Sequence, residues 1–242
     1  MHRGYIRASQ SLSRNTMPKS EPLHLAIIPD GNRRWARSFA LHPWKGHEKA
    51  IENFRGITQW CRDDPRIGTL TVWCFSTENW KRDPQEVSQL MHLLEEYLTQ
   101  ERRGFMEKKT RFLHSGRKDR IPSSLSQLIE SVETETTNQR EFTLHLAVDY
   151  GGKDEILRAC EKVRERDHIT EEQFRQHLDH PELPDLDLII RTADEKRTSN
   201  FFLWQSTYAE WIFSSKLFPD FTTKDLQEAV EEFEKRTRRF GK

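Results

Sequence analysis

The sequence predicts a single α/β domain built on a mostly parallel β-sheet with helices on both faces. Three observations support this fold class. Short apolar runs alternate with amphipathic helical stretches, polar clusters follow several of these runs directly, and 242 residues are enough to bury one large core. No internal repeat or linker divides the chain, so a domain spanning 23–242 is expected after a disordered tail at 1–22.

The first half of the chain alternates strand and helix. Residues 23–28 form an apolar run that Pro29-Asp30-Gly31 ends, and 34–39 is compatible with a helical turn. Residues 48–61 carry apolar side chains at helical spacing, and Gly68 introduces an apolar strand at 69–75. Pro84 opens a long amphipathic helix that is expected to reach about residue 106.

The second half continues the alternation with shorter elements. Strands are predicted at 111–114 and 142–148, with helices at 123–134 and 154–166. Further strands are predicted at 186–190, after Pro184, and at 211–213, and the last helix at 223–236 is capped by Thr222 or Thr223. Ligands of such sheets bind at the carboxyl ends of the strands, so polar clusters that follow strands are expected to share one edge.

Composition excludes some functions and bounds others. Lys+Arg and Asp+Glu both number 39, and this balance argues against a nucleic-acid binder while leaving room for a local basic pocket. Cys61, Cys74 and Cys160 form no C-x-x-C pair, which predicts free thiols and a cytoplasmic location. No apolar run approaches the roughly 18–20 residues of a membrane-spanning helix.

The first 20 residues contain four basic residues, no acidic residue and several serines. This composition suits a transit peptide, a disordered tail, or a start codon assigned too early with Met17 as the true start. The tail and the early start codon are the favoured interpretations.

The first polar cluster is DGNRRW, at residues 30–35. Asp30 can hold Mg²⁺, while Arg34 and the backbone amides after Gly31 can hold a diphosphate. The same residues also suit an ordinary strand-to-helix turn with Asn32 as the N-cap. Taken alone, the hexapeptide favours that simpler interpretation.

The second cluster is FSTENWKRDPQE, at residues 75–86, directly after an apolar strand. Its candidate functional residues are Ser76, Glu78, Asn79, Trp80 and Arg82. A helix-capping loop with Trp80 packed on the core is an equally good interpretation from these residues alone.

The third cluster is RTADEKRTSNFFLWQ, at residues 191–205. Arg191, Arg197 and Ser199 offer two guanidinium groups and a hydroxyl, which suit a diphosphate, and the alternative is a solvated charged loop. Glu210 lies in the apolar stretch YAEWIF, where its carboxylate needs a metal or, more simply, a salt-bridge partner. His47 is a candidate base or a surface residue, and spacing does not distinguish these roles.

Taken in order, these clusters resemble the cis-prenyltransferase family, whose best-known members are undecaprenyl diphosphate synthases. The resemblance runs from His24 to Gly241. Its motifs are HLAIIPDGNRRWA, KGH at 45–47, FSTENWKR, DYGGKDE, IIRTADEKRTSNFFLWQ, YAEWIF and RTRRFG. Each motif is weak alone, and their common order makes chance similarity improbable.

The resemblance implies a cis-prenyltransferase fold of about six mostly parallel strands, a homodimer and a hydrophobic tunnel for the growing chain. The implied reaction is the Mg²⁺-dependent condensation of isopentenyl diphosphate with an allylic diphosphate, geranyl or farnesyl, giving a Z-polyprenyl diphosphate. The terminal Arg239-Phe240-Gly241 segment is expected to reach the partner subunit's site. Transient membrane contact would release the product, and no nucleic acid is expected as a partner.

The resemblance also assigns roles to residues. Asp30 would bind Mg²⁺ and promote departure of the allylic diphosphate, with Glu210 completing the metal site. The residues expected to bind that diphosphate are Gly31, Asn32, Arg33, Arg34, Trp35 and His47. The residues expected to order the two substrates are Ser76, Glu78, Asn79, Trp80 and Arg82. Those expected to hold isopentenyl diphosphate are Arg191, Arg197 and Ser199. Because a carboxamide is a poor base, Asn79 is given a positioning role at the catalytic centre.

The sequence departs from the family at three places, one of which is Arg33, where a glycine is common and the family tolerates the change. Pro43 stands where an arginine that contacts the allylic diphosphate is usual, and Ala193-Asp194 stands where Ser-Gly or Gly-Gly is usual. Phe142, Cys74 and Val148 are expected along the tunnel, where smaller side chains favour longer products. A short or medium product length is therefore expected.

Two other functions compete with this one. The first is a non-catalytic subunit of a heteromeric cis-prenyltransferase, but such subunits tend to lose the aspartate or the arginine cluster, and both are present here. The second is a Mg²⁺-dependent phosphohydrolase that uses Asp30 and Glu210. Trp80 and the separate two-arginine loop fit a two-substrate condensation better.

Overall fold

A computed structural model describes residues 21–236, and these form a six-stranded sheet in which every paired neighbour is parallel. The strand order is β3-β4-β2-β1-β5-β6. The strands are β1 Leu23–Ile28, β2 Ile67–Ser76, β3 Thr110–Ser115, β4 Phe142–Tyr150, β5 Leu188–Arg191 and β6 Glu210–Phe213. The predicted single α/β domain is therefore confirmed, with an all-parallel sheet where a mostly parallel one was expected.

Helices cover both faces of the sheet. They are α1 Asn32–Ser38, α2 Pro43–Asp63, α3 Pro84–Glu107, α4 Ser123–Thr136, α5 Gly152–Val163, α6 Glu171–Arg175 and α7 Thr223–Lys235. Two 3₁₀ turns span Thr77–Lys81 and Phe218–Asp220. The larger apolar core lies between the sheet and α2, α3, α4 and α7, and two smaller clusters fill the other face. Burial of this apolar surface is the main force that holds the layers together.

Most predicted elements are present, and the largest boundary error is at α2. This helix begins at Pro43, five residues before the predicted start, because proline is tolerated in the first turn. Gly46 lets α2 approach α1 closely, since a Cβ there would lie 2.0 Å from the Asn32 carbonyl oxygen. The short helix α6, with its Thr170–Gln173 capping box, was not predicted.

A chain of buried polar side chains crosses four adjacent strands. The His24 Nδ1 contacts the Pro184 carbonyl oxygen at 2.8 Å, and its Nε2 contacts Thr71 Oγ1 at 2.7 Å. The same Thr71 oxygen contacts His145 Nδ1 at 2.9 Å, and His145 Nε2 contacts Ser115 Oγ at 2.8 Å. With both imidazoles neutral, every hydrogen bond in the chain has one donor and one acceptor. The chain therefore links β1, β2, β4 and β3 through uncharged groups.

The described residues also bear on two further expectations. Cys61, Cys74 and Cys160 are free. Among residues 21–236, each helix is too short or too polar to span a bilayer. The predicted tail at 1–22 falls almost wholly outside the described residues, as does Arg239-Phe240-Gly241, so those expectations stay predictions.

Candidate active site

The three polar clusters meet at the carboxyl edge of the sheet because β2, β1 and β5 are neighbours there. They enclose a cavity of about 540 Å³, which we call the central pocket. Of the predicted site residues, its lining contains Asp30, Asn32, His47, Ser76, Glu78, Asn79, Arg82, Arg191, Arg197 and Ser199. The prediction that the three clusters meet at one edge of the sheet is thus confirmed.

Asp30 and Arg191 form an ion pair at the centre of this pocket. The Arg191 Nη2 donates to Asp30 Oδ2 at 2.9 Å, and the second Asp30 oxygen accepts from the Gly31 amide at 2.8 Å. Arg191 is 3% exposed, whereas the Asp30 side chain is 32% exposed. The pair therefore presents a carboxylate to the cavity and keeps the guanidinium beneath it.

The remaining contacts of Arg191 organise the loop after β5. Its Nη1 donates to Ser199 Oγ at 2.8 Å and to the Arg197 carbonyl oxygen at 2.5 Å. The Nε of Arg191 is buried and has no hydrogen-bond partner among the described residues. Because an unpaired buried donor is unfavourable, this atom is suited to an acceptor supplied by a ligand. The Arg197 guanidinium pairs with Glu195.

The 3₁₀ turn after β2 supplies the opposite wall. The Ser76 amide donates to Asn79 Oδ1 at 3.1 Å, so Asn79 fixes the start of the turn. Glu78 accepts from Asn200 at 3.1 Å, which ties this turn to the loop after β5. Burial raises the pKa of Glu78, but hydrogen bonds from its own amide, Ser76 and Asn200 outweigh burial and hold it below the ordinary value. Glu78 is therefore kept as a carboxylate facing the cavity.

A second cavity of about 300 Å³, which we call the arginine pocket, adjoins the first and shares Asp30, Asn32, His47 and Arg82 with it. Gly31, which precedes α1, and Arg33, Arg34 and Arg37 of α1 also belong to the lining. Arg34 is held by the Ala193 carbonyl oxygen at 3.0 Å and by Glu195 at 2.9 Å. The concentration of guanidinium groups around one cavity favours a dianionic or trianionic ligand.

Glu86 organises this pocket and was not singled out by the sequence. The carboxylate is buried and lies 3.4 Å from His47, from Arg82 and from Arg33. The hydrogen bond from His47 is the main reason that the pKa of Glu86 is lowered. In the sequence, Glu86 is an ordinary acidic residue in the first turn of α3, and only its tertiary contacts show that two guanidinium groups and an imidazole share it.

A narrow apolar cavity continues from both pockets between α2, α3 and β2. Its volume is about 50 Å³, and Asn32 and His47 lie where it joins the two polar cavities. Phe54 and Tyr97, whose ring centroids are 5.1 Å apart, line its inner part. Cys74 lines this cavity as expected, but Phe142 and Val148 do not, because they lie on β4, one strand further from it.

Three predicted site residues do not join the pockets. Trp35 donates from its indole nitrogen to Asp220 at 2.9 Å, and Trp80 donates to Asp149 at 2.8 Å. Trp80 also packs edge-on against Phe75, as in the alternative core-packing interpretation. Neither indole lines a pocket, because each side chain points to the far side of its helical turn.

Glu210 is the third of these residues. The prediction that Glu210 completes a metal site with Asp30 of the same chain is wrong. Glu210 begins β6, in register with the first residue of β5, whereas Arg191 ends β5. Three residues of strand separate these levels by roughly 10 Å. Glu210 instead accepts from Arg236 at 2.9 Å, which is the salt bridge that the residues alone favoured. The predicted N-cap role of Asn32 is also wrong, since Gly31 caps α1 in the left-handed conformation.

The side chains around Asp30 fit a divalent cation that is held partly by the protein and partly by its ligands. Within residues 21–236, no three His, Cys, Asp or Glu side chains cluster closely enough to form a metal site on their own. Mg²⁺ commonly uses one or two protein carboxylates and completes its shell with water and phosphate oxygens, so Asp30 in an open pocket fits this mode. In the part of the chain that the structure describes, the Asn32 Oδ1 is buried without a hydrogen-bond partner, and Asn32 lines the same pocket as Asp30, so this oxygen would suit a metal-bound water as an acceptor.

Comparison with known proteins gives a consistent result. The Prenyltransf family model, described as undecaprenyl diphosphate synthase, matches residues 28–241. An isoprenyl transferase of Fusobacterium nucleatum is 42% identical over 229 residues, covering 93% of this chain and 98% of the relative. An isoprenyl transferase of Aquifex aeolicus is 42% identical over 223 residues, covering 91% of this chain and 96% of the relative.

Two solved structures share the fold. Lavandulyl diphosphate synthase from Lavandula x intermedia, in complex with dimethylallyl diphosphate, superposes with a TM-score of 0.86 at 35% identity, covering 91% of this chain and 98% of that one. A probable undecaprenyl diphosphate synthase from Campylobacter jejuni superposes with a TM-score of 0.78 at 34% identity, covering 92% of this chain and 100% of that one.

Proposed function

Because the chain belongs to the undecaprenyl diphosphate synthase family and is therefore a prenyltransferase, we propose that it condenses isopentenyl diphosphate with geranyl or farnesyl diphosphate. The product would be a Z-polyprenyl diphosphate, and the reaction would depend on Mg²⁺. The observation that carries the proposal is the Asp30–Arg191 pair at 2.9 Å inside a pocket that opens on one side to a cluster of arginines and on the other to an apolar cavity.

The two polar cavities suit two diphosphates. The allylic diphosphate occupies the arginine pocket, where Arg33, Arg34 and Arg82 can neutralise it and where its hydrocarbon tail can enter the adjoining apolar cavity. Isopentenyl diphosphate binds in the central pocket against Arg197, Ser199 and the unpaired Nε of Arg191. Guanidinium groups match phosphate oxygens in charge and in planar geometry.

The reaction joins carbon to carbon and releases pyrophosphate. The allylic C–O bond breaks, its electron pair leaves with the pyrophosphate, and the double bond of isopentenyl diphosphate attacks the electron-poor allylic carbon. Loss of a proton from isopentenyl C2 then sets the new Z double bond. The cations of the arginine pocket stabilise the negative charge that develops on the leaving group.

Asp30 would hold Mg²⁺ together with diphosphate oxygens and water, and the bound ion would supply further neutralisation of the leaving group. Asn79 has a positioning role, because its carboxamide already accepts from the Ser76 amide and is a poor base. The pyrophosphate that leaves, or a water, is the better proton acceptor.

The apolar cavity supports a short or medium product. The aromatic pair of Phe54 and Tyr97 lines the inner part of this cavity and limits how far a prenyl chain can extend into it. Each added isoprene unit brings five carbon atoms that need apolar surroundings. A dominant product of ten or more isoprene units would reject this part of the proposal.

We also propose that the enzyme is a cytoplasmic homodimer. The strand β6 lies at the edge of the sheet, and Tyr208, just before it, is a large exposed side chain. An exposed edge strand and an exposed aromatic side chain are features that a second subunit commonly covers. Analytical ultracentrifugation would show a single species of twice the chain mass, and a monomer at micromolar concentration would contradict this.

The test of function is incubation of the purified chain alone with isopentenyl diphosphate and geranyl or farnesyl diphosphate, with Mg²⁺ or with chelator. We expect Z-polyprenyl diphosphate, identified by mass spectrometry after dephosphorylation, and no product when chelator is present. Lack of incorporation unless a second protein is added would support the non-catalytic subunit. Release of inorganic phosphate from either substrate alone would support the phosphohydrolase.

A further inference from the structure

Asn200 connects three segments at the carboxyl edge of the sheet. Its side-chain nitrogen donates to Glu78 Oε1 at 3.1 Å, in the turn after β2, and its side-chain oxygen accepts from the Lys153 amide at 2.7 Å, at the start of α5. Its backbone oxygen accepts from the Gly152 amide at 2.7 Å. Asn200 belongs to the loop after β5, and β1 and β2 lie between β5 and β4 in the sheet. The loop is therefore held across the central pocket, which Asn200 also lines.

The contacts of Asn200 require a carboxamide. One of its side-chain contacts needs a donor and the other needs an acceptor, so an aspartate would lack the donor and would place a second negative charge beside Glu78. The backbone at Asn200 is left-handed, with φ of +72°, a conformation that asparagine and glycine adopt more readily than most residues. Glycine at this position would keep the backbone conformation and remove only the side-chain contacts.

The glycine pair of the DYGGKDE motif forms the surface against which Asn200 packs. A Cβ on Gly151 would lie 2.7 Å from Asn200 Nδ2 and 2.8 Å from Thr77 Oγ1. Both distances are shorter than a real Cβ contact, so glycine is needed for the loop after β5 and the turn after β2 to approach this point together. The motif thus shapes the central pocket, although its two glycines line neither polar cavity.

The loop held by Asn200 carries the groups assigned to isopentenyl diphosphate. Ser199 immediately precedes Asn200, and Arg197 lies three residues before it. Arg191 donates to the Ser199 hydroxyl at 2.8 Å and to the Arg197 carbonyl oxygen at 2.5 Å. The position of this loop therefore also sets the contacts of the buried guanidinium.

The arginine pocket depends much less on this contact. Arg33 and Arg82 are held by Glu86 of α3, and Arg34 is held by residues at the beginning of the loop after β5, which are distant in sequence from Asn200. A shift of residues 197–200 would therefore change one diphosphate site and leave the other in place.

From these contacts, and resting on the proposed function, we propose that Asn200 is a positioning residue for isopentenyl diphosphate. It holds Arg197 and Ser199 where they meet a diphosphate, and it ties their loop to Glu78 on the opposite wall. Groups that are already ordered bind more tightly, because the ligand does not have to order them. Removal of the Asn200 side chain should therefore weaken binding of isopentenyl diphosphate selectively.

Steady-state kinetics of Asn200→Gly, with each substrate varied in turn, tests the proposal. KM for isopentenyl diphosphate should rise about tenfold, because two side-chain hydrogen bonds are lost, one of them to a carboxylate. KM for the allylic diphosphate should stay within about twofold of wild type, and kcat within about threefold at saturating isopentenyl diphosphate. Asn138→Gly is the matched control, because Asn138 is exposed between α4 and β4, at the opposite edge of the sheet.

Gly151→Ala tests the same contact from the other side. In the wild-type background it should raise KM for isopentenyl diphosphate, because its Cβ displaces the Asn200 carboxamide. In the Asn200→Gly background the same change should raise KM by a smaller factor, since that carboxamide is gone. Equal factors in the two backgrounds would contradict the proposed contact. KM does not depend on the fraction of enzyme that is folded, so a loss of stability alone would leave both KM values unchanged.

An unchanged KM for isopentenyl diphosphate in Asn200→Gly overturns the inference, and so does a fall in kcat alone or an equal rise in both KM values. Calorimetric titration of isopentenyl diphosphate into each protein separates this inference from the proposed function. If wild type forms product and Asn200→Gly binds isopentenyl diphosphate normally, the positioning role is wrong and the prenyltransferase proposal stands. If wild type forms no product but its binding of isopentenyl diphosphate weakens about tenfold in Asn200→Gly, the proposed reaction is wrong and the positioning role is supported. An inactive wild type that does not bind isopentenyl diphosphate contradicts both.

Discussion

Acid should weaken this fold through three of its buried histidines, which are His24 and His145 of the polar chain and His114 on β3, over a pH range that the structure defines. Burial lowers the pKa of His24 to about 4, and burial with the nearby Lys118 lowers that of His114 to about 4, from an ordinary value of 6.5. Because folding depresses these values, the unfolded chain binds more protons below pH 6.5. The stability that the neutral histidines contribute is fully present above pH 6.5 and is lost as the pH falls toward 4.

The expected loss is large enough to measure. When the pKa of a group falls from 6.5 to about 4 on folding, the free energy of unfolding is about 2 kcal/mol lower at pH 5 than at neutral pH. His24 and His114 together therefore lower it by about 4 kcal/mol. His145 acts in the same direction, since burial also lowers its pKa. His180 opposes them: burial lowers its pKa, but its contacts with Glu182 and with the His114 carbonyl oxygen together outweigh burial and raise the pKa.

Urea unfolding at pH 7.5, 6.5, 5.5 and 5.0 measures this dependence. His24→Gln should be less stable than wild type at pH 7.5, because it loses the bonds to Pro184 and Thr71, but its stability should fall by about 2 kcal/mol less between pH 7.5 and 5.0. His92→Gln is the control, since His92 is exposed. Parallel pH curves for wild type and His24→Gln would refute this account of the buried chain.

Three further changes test the site. Glu86→Gln removes the carboxylate that Arg33, Arg82 and the His47 imidazole share, so KM for the allylic diphosphate should rise about tenfold, while the exposed control Glu96→Gln leaves it unchanged. Tyr97→Ala opens the inner end of the apolar cavity, so mass spectrometry should show a product at least one isoprene unit longer; Phe142→Ala, buried elsewhere, should not lengthen it. Gly31→Ala should lower the free energy of unfolding, measured in urea, by at least about 1–2 kcal/mol, because φ at this residue is +101° and a Cβ would lie 2.8 Å from Leu217. A variant as stable as wild type would contradict the strained conformation.

The strands were predictable because each is a short apolar run with a clear breaker. The run at Leu23–Ile28 ends at Pro29-Asp30-Gly31 in both sequence and structure. The meeting of the three clusters was also predictable, since residues that follow neighbouring parallel strands share an edge. The start of α2 was not, because Pro43 has the same local signal as a residue in a turn.

Side-chain directions were harder to predict than positions. Trp35 and Trp80 belong to the right segments, but the phase of a single helical turn decides whether an indole faces the pocket or the neighbouring layer. Glu86 shows the reverse case, since a common residue becomes important only when tertiary packing buries it beside two arginines and a histidine. The position of Glu210 could have been predicted from the sequence. A residue at the start of a parallel strand lies at the opposite edge of the sheet from a residue at the end of the neighbouring strand.

The central claim is that the Asp30 carboxylate, held by Arg191, drives departure of the allylic diphosphate. The most direct measurement is the rate of incorporation of radiolabelled isopentenyl diphosphate by Asp30→Asn, at saturating concentrations of both substrates and Mg²⁺. The substitution keeps the shape of the side chain and removes its charge, so we predict a fall in kcat of at least about a hundredfold. A kcat within threefold of wild type, in a variant that folds normally, would contradict the account.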